Sequence, residues 1–156
     1  MLKIIVALGP NNLIGKGNSL PWNIKSDLQH FKATTMGHTM IMGDKTYESM
    51  GGKPLKGRKS IVLSLNEYDP HSDDVEVVHD YQELVKRYGE SSEIAYVIGG
   101  ATIYRLFLPY VSELVVSRIK GNYNGDIYFP SFEKDFEVKS VEEREEFSIV
   151  TYQRRG

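Results

Sequence analysis

The amino-acid sequence predicts a three-layer α/β domain. Its central, mostly parallel sheet would hold about eight strands, closed by an antiparallel C-terminal strand and flanked by about four helices. Three observations carry this. Short apolar runs alternate with stretches of helical periodicity along most of the chain. Several of these runs are apolar at consecutive positions, the pattern of strands covered on both faces. The tail instead holds two extended stretches joined by Glu142-Glu143-Arg144-Glu145-Glu146, as expected of an antiparallel pair whose charges blunt a sheet edge.

In chain order, residues 4–8 read as the first strand. The apolar run there is far too short to span a bilayer, and it lacks the flanks of a signal peptide. Residues 9–23 connect it to the first helix, at about fifteen residues a longer link than usual. Gly9, Gly15 and Gly17 would let this segment move, and Leu20 and Trp22 would give it apolar weight, so a lid over a site is expected, with a static packed loop as the alternative. Helices follow at 24–35, 45–50, 81–88 and 102–108, the last stopped by Pro109. Further strands are expected at 39–42, 60–64, 75–78, 94–98 and 114–119, and the tail pair at 136–141 and 147–152. No repeat, low-complexity segment or linker interrupts the pattern, which reads as a single domain over 1–156.

Composition removes several function classes. A formal net charge of −2 leaves no basic footprint for nucleic acid or a membrane surface. The absence of cysteine rules out disulfides, thiol catalysis and Cys-based zinc sites. The four histidines are scattered without carboxylates at ligand spacing, so no metal site is expected. A cytoplasmic enzyme-sized domain is the default.

Within the first helix, Asp27 shares a stripe with Ile24, Leu28 and Phe31. A carboxylate among apolar side chains loses water and is costly to ionise unless something binds it, which marks a working acid or a ligand anchor. The alternative is an acid complementing the helix dipole, with Asn23 as cap. Ile98-Gly99-Gly100 leads from a strand directly into the helix at Ala101-Thr102, and two glycines there would admit a phosphate to the backbone. Gly43-Asp44-Lys45-Thr46 repeats the junction, and two such turns suit a pyrophosphate. Gly15-Lys16-Gly17-Asn18-Ser19-Leu20 lacks the third glycine of a dinucleotide fingerprint. The stretch 52–60 precedes a strand, where a phosphate loop must follow one.

Taken together, Ile14-Gly15, Leu20-Pro21-Trp22-Asn23, Asp27-Leu28, Phe31-Lys32, Ile41-Met42-Gly43, Lys45-Thr46-Tyr47-Glu48-Ser49, Gly57-Arg58-Lys59, Val97-Ile98-Gly99-Gly100 through Tyr104, Gly125-Asp126 and Phe129-Pro130 form a collinear set. In it the chain resembles the dihydrofolate reductases of the bacterial chromosomal type over essentially its whole length. The resemblance implies reduction of 7,8-dihydrofolate to tetrahydrofolate, with hydride passing from NADPH to pterin C6 and a proton reaching N5. It also implies a monomer that antifolate inhibitors bind. Asp27 would pair both its oxygens with the 2-amino group and N3 of the pterin. Ile5, Val6 and Ala7 would line the floor, with Val6 near the pterin through its backbone. Leu28, Phe31, Met50, Leu55 and Ile98 would grip the ring and aminobenzoyl group, and Arg58 would clamp the α-carboxylate of the glutamate tail. Leu20 and Trp22 belong to the lid, which Asp126 would tether. The cofactor would meet Ala7, Ile14, Gly15, Asn18, Gly43, Asp44, Lys45, Thr46, Leu63, Ser64, Leu65, Gly99, Gly100, Ala101, Thr102, Ile103 and Tyr104, with a cis peptide between Gly99 and Gly100.

Three positions depart from the family pattern. Asp44 stands where many relatives carry an arginine facing the cofactor's 2′-phosphate, Leu65 replaces a polar or basic residue near the same group, and Ser117 replaces a threonine whose hydroxyl links to the catalytic acid. An added like charge costs on the order of 1 kcal/mol, or about fivefold in affinity. Lys45 and Ser64 are candidates to offset it. NADPH is therefore expected to remain preferred over NADH, by a narrower margin than in arginine-bearing relatives. Two other readings are a folate- or dinucleotide-binding module without turnover, and a related pterin or pyrimidine reductase. The first has no need of acid, lid and clamp together; the second has no use for Arg58.

Overall fold

In a computed structural model, which describes residues 1–15 and 21–156, ten strands and four helices follow the expected alternation. The strands are β1 (Leu2–Leu8), β2 (Leu13–Gly15), β3 (Thr39–Gly43), β4 (Lys59–Leu63), β5 (Val75–Val78), β6 (Ala95–Val97), β7 (Glu113–Ile119), β8 (Ile127–Tyr128), β9 (Phe136–Glu143) and β10 (Phe147–Arg154). The helices are α1 (Lys25–Thr35), α2 (Asp44–Ser49), α3 (Tyr81–Tyr88) and α4 (Ala101–Phe107). Eight strands form one sheet in the order β5-β4-β3-β6-β1-β7-β10-β9. The first six run parallel, and β10 turns antiparallel against β7 before β9 closes the edge.

Alternation along β1 sorts the two faces. Ile4, Val6 and Leu8 join Leu84 and Tyr88 of α3 and Tyr104 and Phe107 of α4 in one core. Ile5 points the other way, into a second core with Tyr47 of α2 and Phe31 of α1 against it. Helices thus cover both faces, and the interior strand β3 is buried along its whole length, the reason Met40, Ile41 and Met42 are apolar in succession. At the opposite extreme only Phe136 of β9 is buried. Its Glu137, Lys139, Glu142 and Glu143 face solvent and discourage pairing with another chain. The strand runs two residues into the acidic stretch expected to be its turn.

The largest departure from the sequence reading lies between β1 and α1. The segment expected as one long link contains a 3-10 turn at Pro10–Asn12 and the strand β2, which pairs with β8. Elements of three and two residues are too short to leave a periodic signal. Asn11 and Asn12 both take left-handed backbone conformations (φ 59° and 63°), which asparagine tolerates better than most residues. The Asn12 side chain accepts from Arg118 Nη1 at 2.8 Å, and that guanidinium lies over the rings of Phe132 and Tyr152. Arg118 therefore pins the root of the segment to the sheet.

Candidate active site

The parallel strands end on one side of the sheet, where an open α/β sheet offers its crevice. Asp27 stands there on the first turn of α1, partly buried. Burial raises its carboxyl above the ordinary 3.8, while a hydrogen bond from the Ser117 hydroxyl and the nearness of His30 pull it back down. Ser117 is itself buried on β7, which makes this hydroxyl a fixed partner. The first helical turn has no side-chain cap: Ile24, not Asn23, occupies the cap position. The stripe expected around Asp27 divides. Ile24 packs with Leu13, Trp22, Ile119 and Phe147, Phe31 lies against the second core, and Leu28 remains 55% exposed. Leu28 therefore lies outside both packed clusters, on the exposed side of α1.

A pH-dependent consequence follows. Asp27 holds its proton more tightly in the folded than in the unfolded chain. Its contribution to stability is therefore full below pH 3.8 and is lost as the pH rises through the raised value. Asp27→Asn should melt higher than the parent at neutral pH, with the gain vanishing in acid; thermal melts at both pH values check this. Ser117→Ala removes a bond that lowers the carboxyl. It should move the alkaline fall of kcat/KM to still higher pH, whereas Ser117→Thr should leave that limb in place.

From Asp27 an apolar surface extends along the cleft. Ile5 and Ile98 belong to the second core, and Phe31, Met50 and Leu55 are partly buried against it. Val6 turns its side chain to the opposite face, leaving only its backbone for the cleft. Ala7 packs toward the cluster of Leu13 and Trp22. At the far end Arg58 donates from Nη1 to Thr35 Oγ1 at 3.3 Å and from Nε to the Lys56 carbonyl at 3.2 Å. Thr35 in turn donates to the Phe31 carbonyl at 2.9 Å, so the guanidinium is docked on the last turn of α1.

On the other side of Asp27 are the two glycine turns. The Gly43 N–H donates to the Gly99 carbonyl at 2.9 Å, bringing the ends of β3 and β6 together. The peptide between Gly99 and Gly100 is cis. A methyl group on Gly43 would meet Ile103 Cγ1 at 3.1 Å, and one on Gly100 would stand 3.6 Å from Thr46 Oγ1. Glycine at 43 thus avoids crowding Ile103, and with no side chain at 43, 99 or 100 both turns leave their backbone open to close approach, which fits a dinucleotide. Tyr104 joins the two halves: it donates to the Ile5 carbonyl at 3.0 Å, its ring lies 3.1 Å from a Cβ at Gly99, and the Asp27 charge acts with burial to raise its phenol. Among the remaining cofactor candidates, Ile14 and Gly15 are buried in β2, Lys45 and Thr102 are exposed, and Ala101 is partly exposed. Asn18 and Leu20 lie outside the described residues.

Trp22 stands buried at the root of the segment expected as the lid. It is 6% exposed and packs edge-on against Tyr123, with ring centroids 5.5 Å apart. The Asp126 N–H donates to the Gly15 carbonyl at 3.1 Å, which ties β8 to β2 at the base of the expected lid.

A family model described as dihydrofolate reductase matches residues 1–154. The chain belongs to the dihydrofolate reductase family. Among curated relatives, dihydrofolate reductase HdrB of Haloferax volcanii is 34% identical over 161 aligned positions, spanning 97% of this chain and 82% of that protein. The dihydrofolate reductase of Bacillus subtilis is 39% identical over 134 positions, 86% of this chain and 78% of that one. The solved structure of the Enterococcus faecalis dihydrofolate reductase, complexed with NADP(H) and RAB-propyl, superposes with a TM-score of 0.88 at 28% identity. It covers all of this chain and 97% of that one.

Several residues important to this dihydrofolate reductase fold's cleft had no signal in the sequence. Arg118 looked like any polar residue in a strand, and the hydroxyl of Thr35 gave no hint that it would seat Arg58. His30, one turn along α1 from Asp27, has its Nε2 enclosed without a partner among the described residues. Burial lowers its basicity, against which Asp27 acts. At Asp44, Ser64 and Leu65 the expected departures take a definite form. Ser64 Oγ donates to Asp44 Oδ2 at 2.9 Å, so the hydroxyl expected to offset the Asp44 charge is engaged by it, and Leu65 is 87% exposed.

Proposed function

We infer that this chain reduces 7,8-dihydrofolate to 5,6,7,8-tetrahydrofolate with NADPH. The observation that carries the reading is the partly buried Asp27, held by Ser117 between an apolar cleft ending at Arg58 and the Gly99-Gly100 turn. When bound, NADPH supplies a hydride to pterin C6.

The chain's own residues do the rest. The two Asp27 oxygens accept from the adjacent N3 and 2-amino donors of the pterin, orienting the ring by a bidentate, charge-assisted pair. Burial keeps this carboxyl closer to its protonated form than an exposed one, which favours protonation of N5. Ile5, Phe31, Met50, Leu55 and Ile98 shed water around the ring and the aminobenzoyl group. Arg58, already oriented by Thr35, offers its fork to the glutamate α-carboxylate. Gly43, Gly99 and Gly100 admit the pyrophosphate, with Thr46 beside them. A cytoplasmic monomer is part of this reading, supported for the oligomeric state by the charged edge strand β9. Sedimentation of the purified protein tests that state.

The test is oxidation of NADPH followed by absorbance with purified protein and dihydrofolate. Turnover requiring both substrates is expected, and its absence would leave only a binding module. Arg58→Leu should raise KM for dihydrofolate by about 10–100-fold while changing kcat much less, because a hydrogen-bonded charge contributes about 1.5–3 kcal/mol. An unchanged KM would remove Arg58 from the substrate site.

A further inference from the structure

One flank of α1 holds a titratable group that the activity inferred above leaves unused. His30 follows Asp27 by three residues, so the two are neighbours on the helix surface, roughly 5–6 Å apart at Cβ. On the helix circumference His30 stands about 60° to one side of Asp27 and Leu28 about 100° to the other. The imidazole is held on two sides. Nδ1 lies 3.3 Å from Thr34 Oγ1 one turn on, and the ring centroid lies 6.2 Å from that of Phe147 on β10. Its Nε2 is enclosed with no partner among the described residues. His30 and Thr34 also line a cavity of about 460 Å³ between α1 and the strands β7, β10 and β9. Phe31, Met50, Leu55 and Ile98 take no part in its walls, so solvent meets this flank of α1 away from the substrate cleft.

The other charges around the ring are engaged with one another. Glu142 and Arg144 of the β9–β10 hairpin act on His30 in opposite senses, and Arg144 Nε donates to Glu142 Oε2 at 2.6 Å. Across the cavity Lys3 and Lys139 share Glu113, at 3.5 and 3.4 Å. Burial disfavours the charged imidazole, and the strongest opposing influence is the Asp27 carboxylate. Asp27 in turn faces the Ser117 hydroxyl on β7, His30 on its own helix and the Tyr104 phenol on α4. The influence is mutual: an imidazolium favours the carboxylate, and a carboxylate favours the imidazolium.

Resting on the activity inferred above, we propose that His30 is a positioning residue for the acid, governing through its own charge how firmly Asp27 holds the proton that the reduction uses. While the imidazole is neutral the carboxyl keeps its proton more readily; once the imidazole is charged the carboxyl gives it up. Their departures from the ordinary 3.8 and 6.5 run toward each other, so around pH 5 the two groups compete for one proton. They titrate as a pair, in two linked steps.

Two variants at this position separate charge from packing, through kcat/KM for dihydrofolate measured from pH 5 to 9. His30→Gln is neutral at every pH and removes the competitor. It should exceed the parent by about threefold at pH 5 and converge with it at pH 8, where the parent's imidazole is neutral as well. His30→Lys is charged throughout. It should fall about tenfold below the parent at pH 8, the effect of a unit charge at this spacing, and approach the parent toward pH 5. A merely structural part for His30 would lower both variants by the same factor at every pH, and that result would overturn the proposal. A second arm needs no substrate. The imidazole signal that His30→Gln removes from the proton NMR spectrum identifies His30 among the four histidines. In Asp27→Asn that signal should titrate at lower pH than in the parent, because the coupling is reciprocal, while the other three stay in place. An unmoved titration would equally overturn the proposal. A moved titration in a protein that does not oxidise NADPH with dihydrofolate would instead count against the reductase reading and leave the coupling of Asp27 and His30 standing.

Discussion

Asp27→Asn is expected to lower kcat/KM for dihydrofolate at neutral pH by about 10²–10⁴-fold, the range lost when a positioned acid is removed. The asparagine occupies the same volume and can still accept from Ser117, so the fold should persist. Its amide cannot take up a proton, and it replaces one of two acceptor oxygens with a donor, which faces the pterin donors unfavourably. The loss should therefore fall on kcat and KM together. Far-ultraviolet circular dichroism and a thermal melt separate this from unfolding, and the melt should rise at neutral pH for the reason given above. Nearly unchanged kcat/KM at pH 7 would remove Asp27 from the mechanism. A side chain that costs stability at the pH where it works is common at active sites.

Gly99→Ala should have the largest effect on the scaffold. Gly99 has φ +112°, a conformation an L residue adopts only under strain of about 1–3 kcal/mol. The new methyl would also meet Tyr104 at 3.1 Å on Cε2 and 3.2 Å on the hydroxyl. Tyr104 is buried, and displacing it threatens its bond to the Ile5 carbonyl, worth about 1 kcal/mol. A loss of about 2–4 kcal/mol corresponds to a melting temperature lower by roughly 5–15 °C for a chain of this size. Gly100→Ala is the informative contrast. Gly100 has φ −76°, and its methyl would find only an ordinary contact at 3.6 Å to Thr46 Oγ1. That variant should melt within a few degrees of the parent yet bind NADPH more weakly, because the methyl projects toward the cradle. Calorimetry and quenching of the single tryptophan, Trp22, on titration with NADPH read the two effects separately; equal stability losses would break the distinction.

Legibility in the sequence followed the length and regularity of each element. Strands β3 and β7 each carry three consecutive apolar residues, Met40 to Met42 and Leu114 to Val116, and their limits fall within one or two residues of those read from the pattern. The helix α3, with Asp80 capping it by accepting from the Gln82 N–H, matches its expected span. The pair β2 and β8 left no trace, since two or three residues show no period and their pairing depends on chain far away in sequence. The surroundings of Trp22 were no more legible, since Leu13, Ile24, Ile119 and Phe147, distant in sequence from one another, cluster with it only in the folded chain. Asp27 stood out because a charge on an apolar stripe is anomalous at any depth, although the stripe itself divides between two clusters and leaves Leu28 exposed.

What the sequence alone determined was the layered architecture, the family resemblance, and the candidate acid, glycine turns and clamp, because periodicity and motif spacing are local properties of the chain. Tertiary structure decided which of these residues have partners. It brought the Ser117 hydroxyl to Asp27 and Thr35 to Arg58, placed Tyr104 between Ile5 and Gly99, and turned Ser64 onto Asp44. Hydrogen bonds and burial depend on which strands become neighbours, and that is settled only when the whole sheet has assembled.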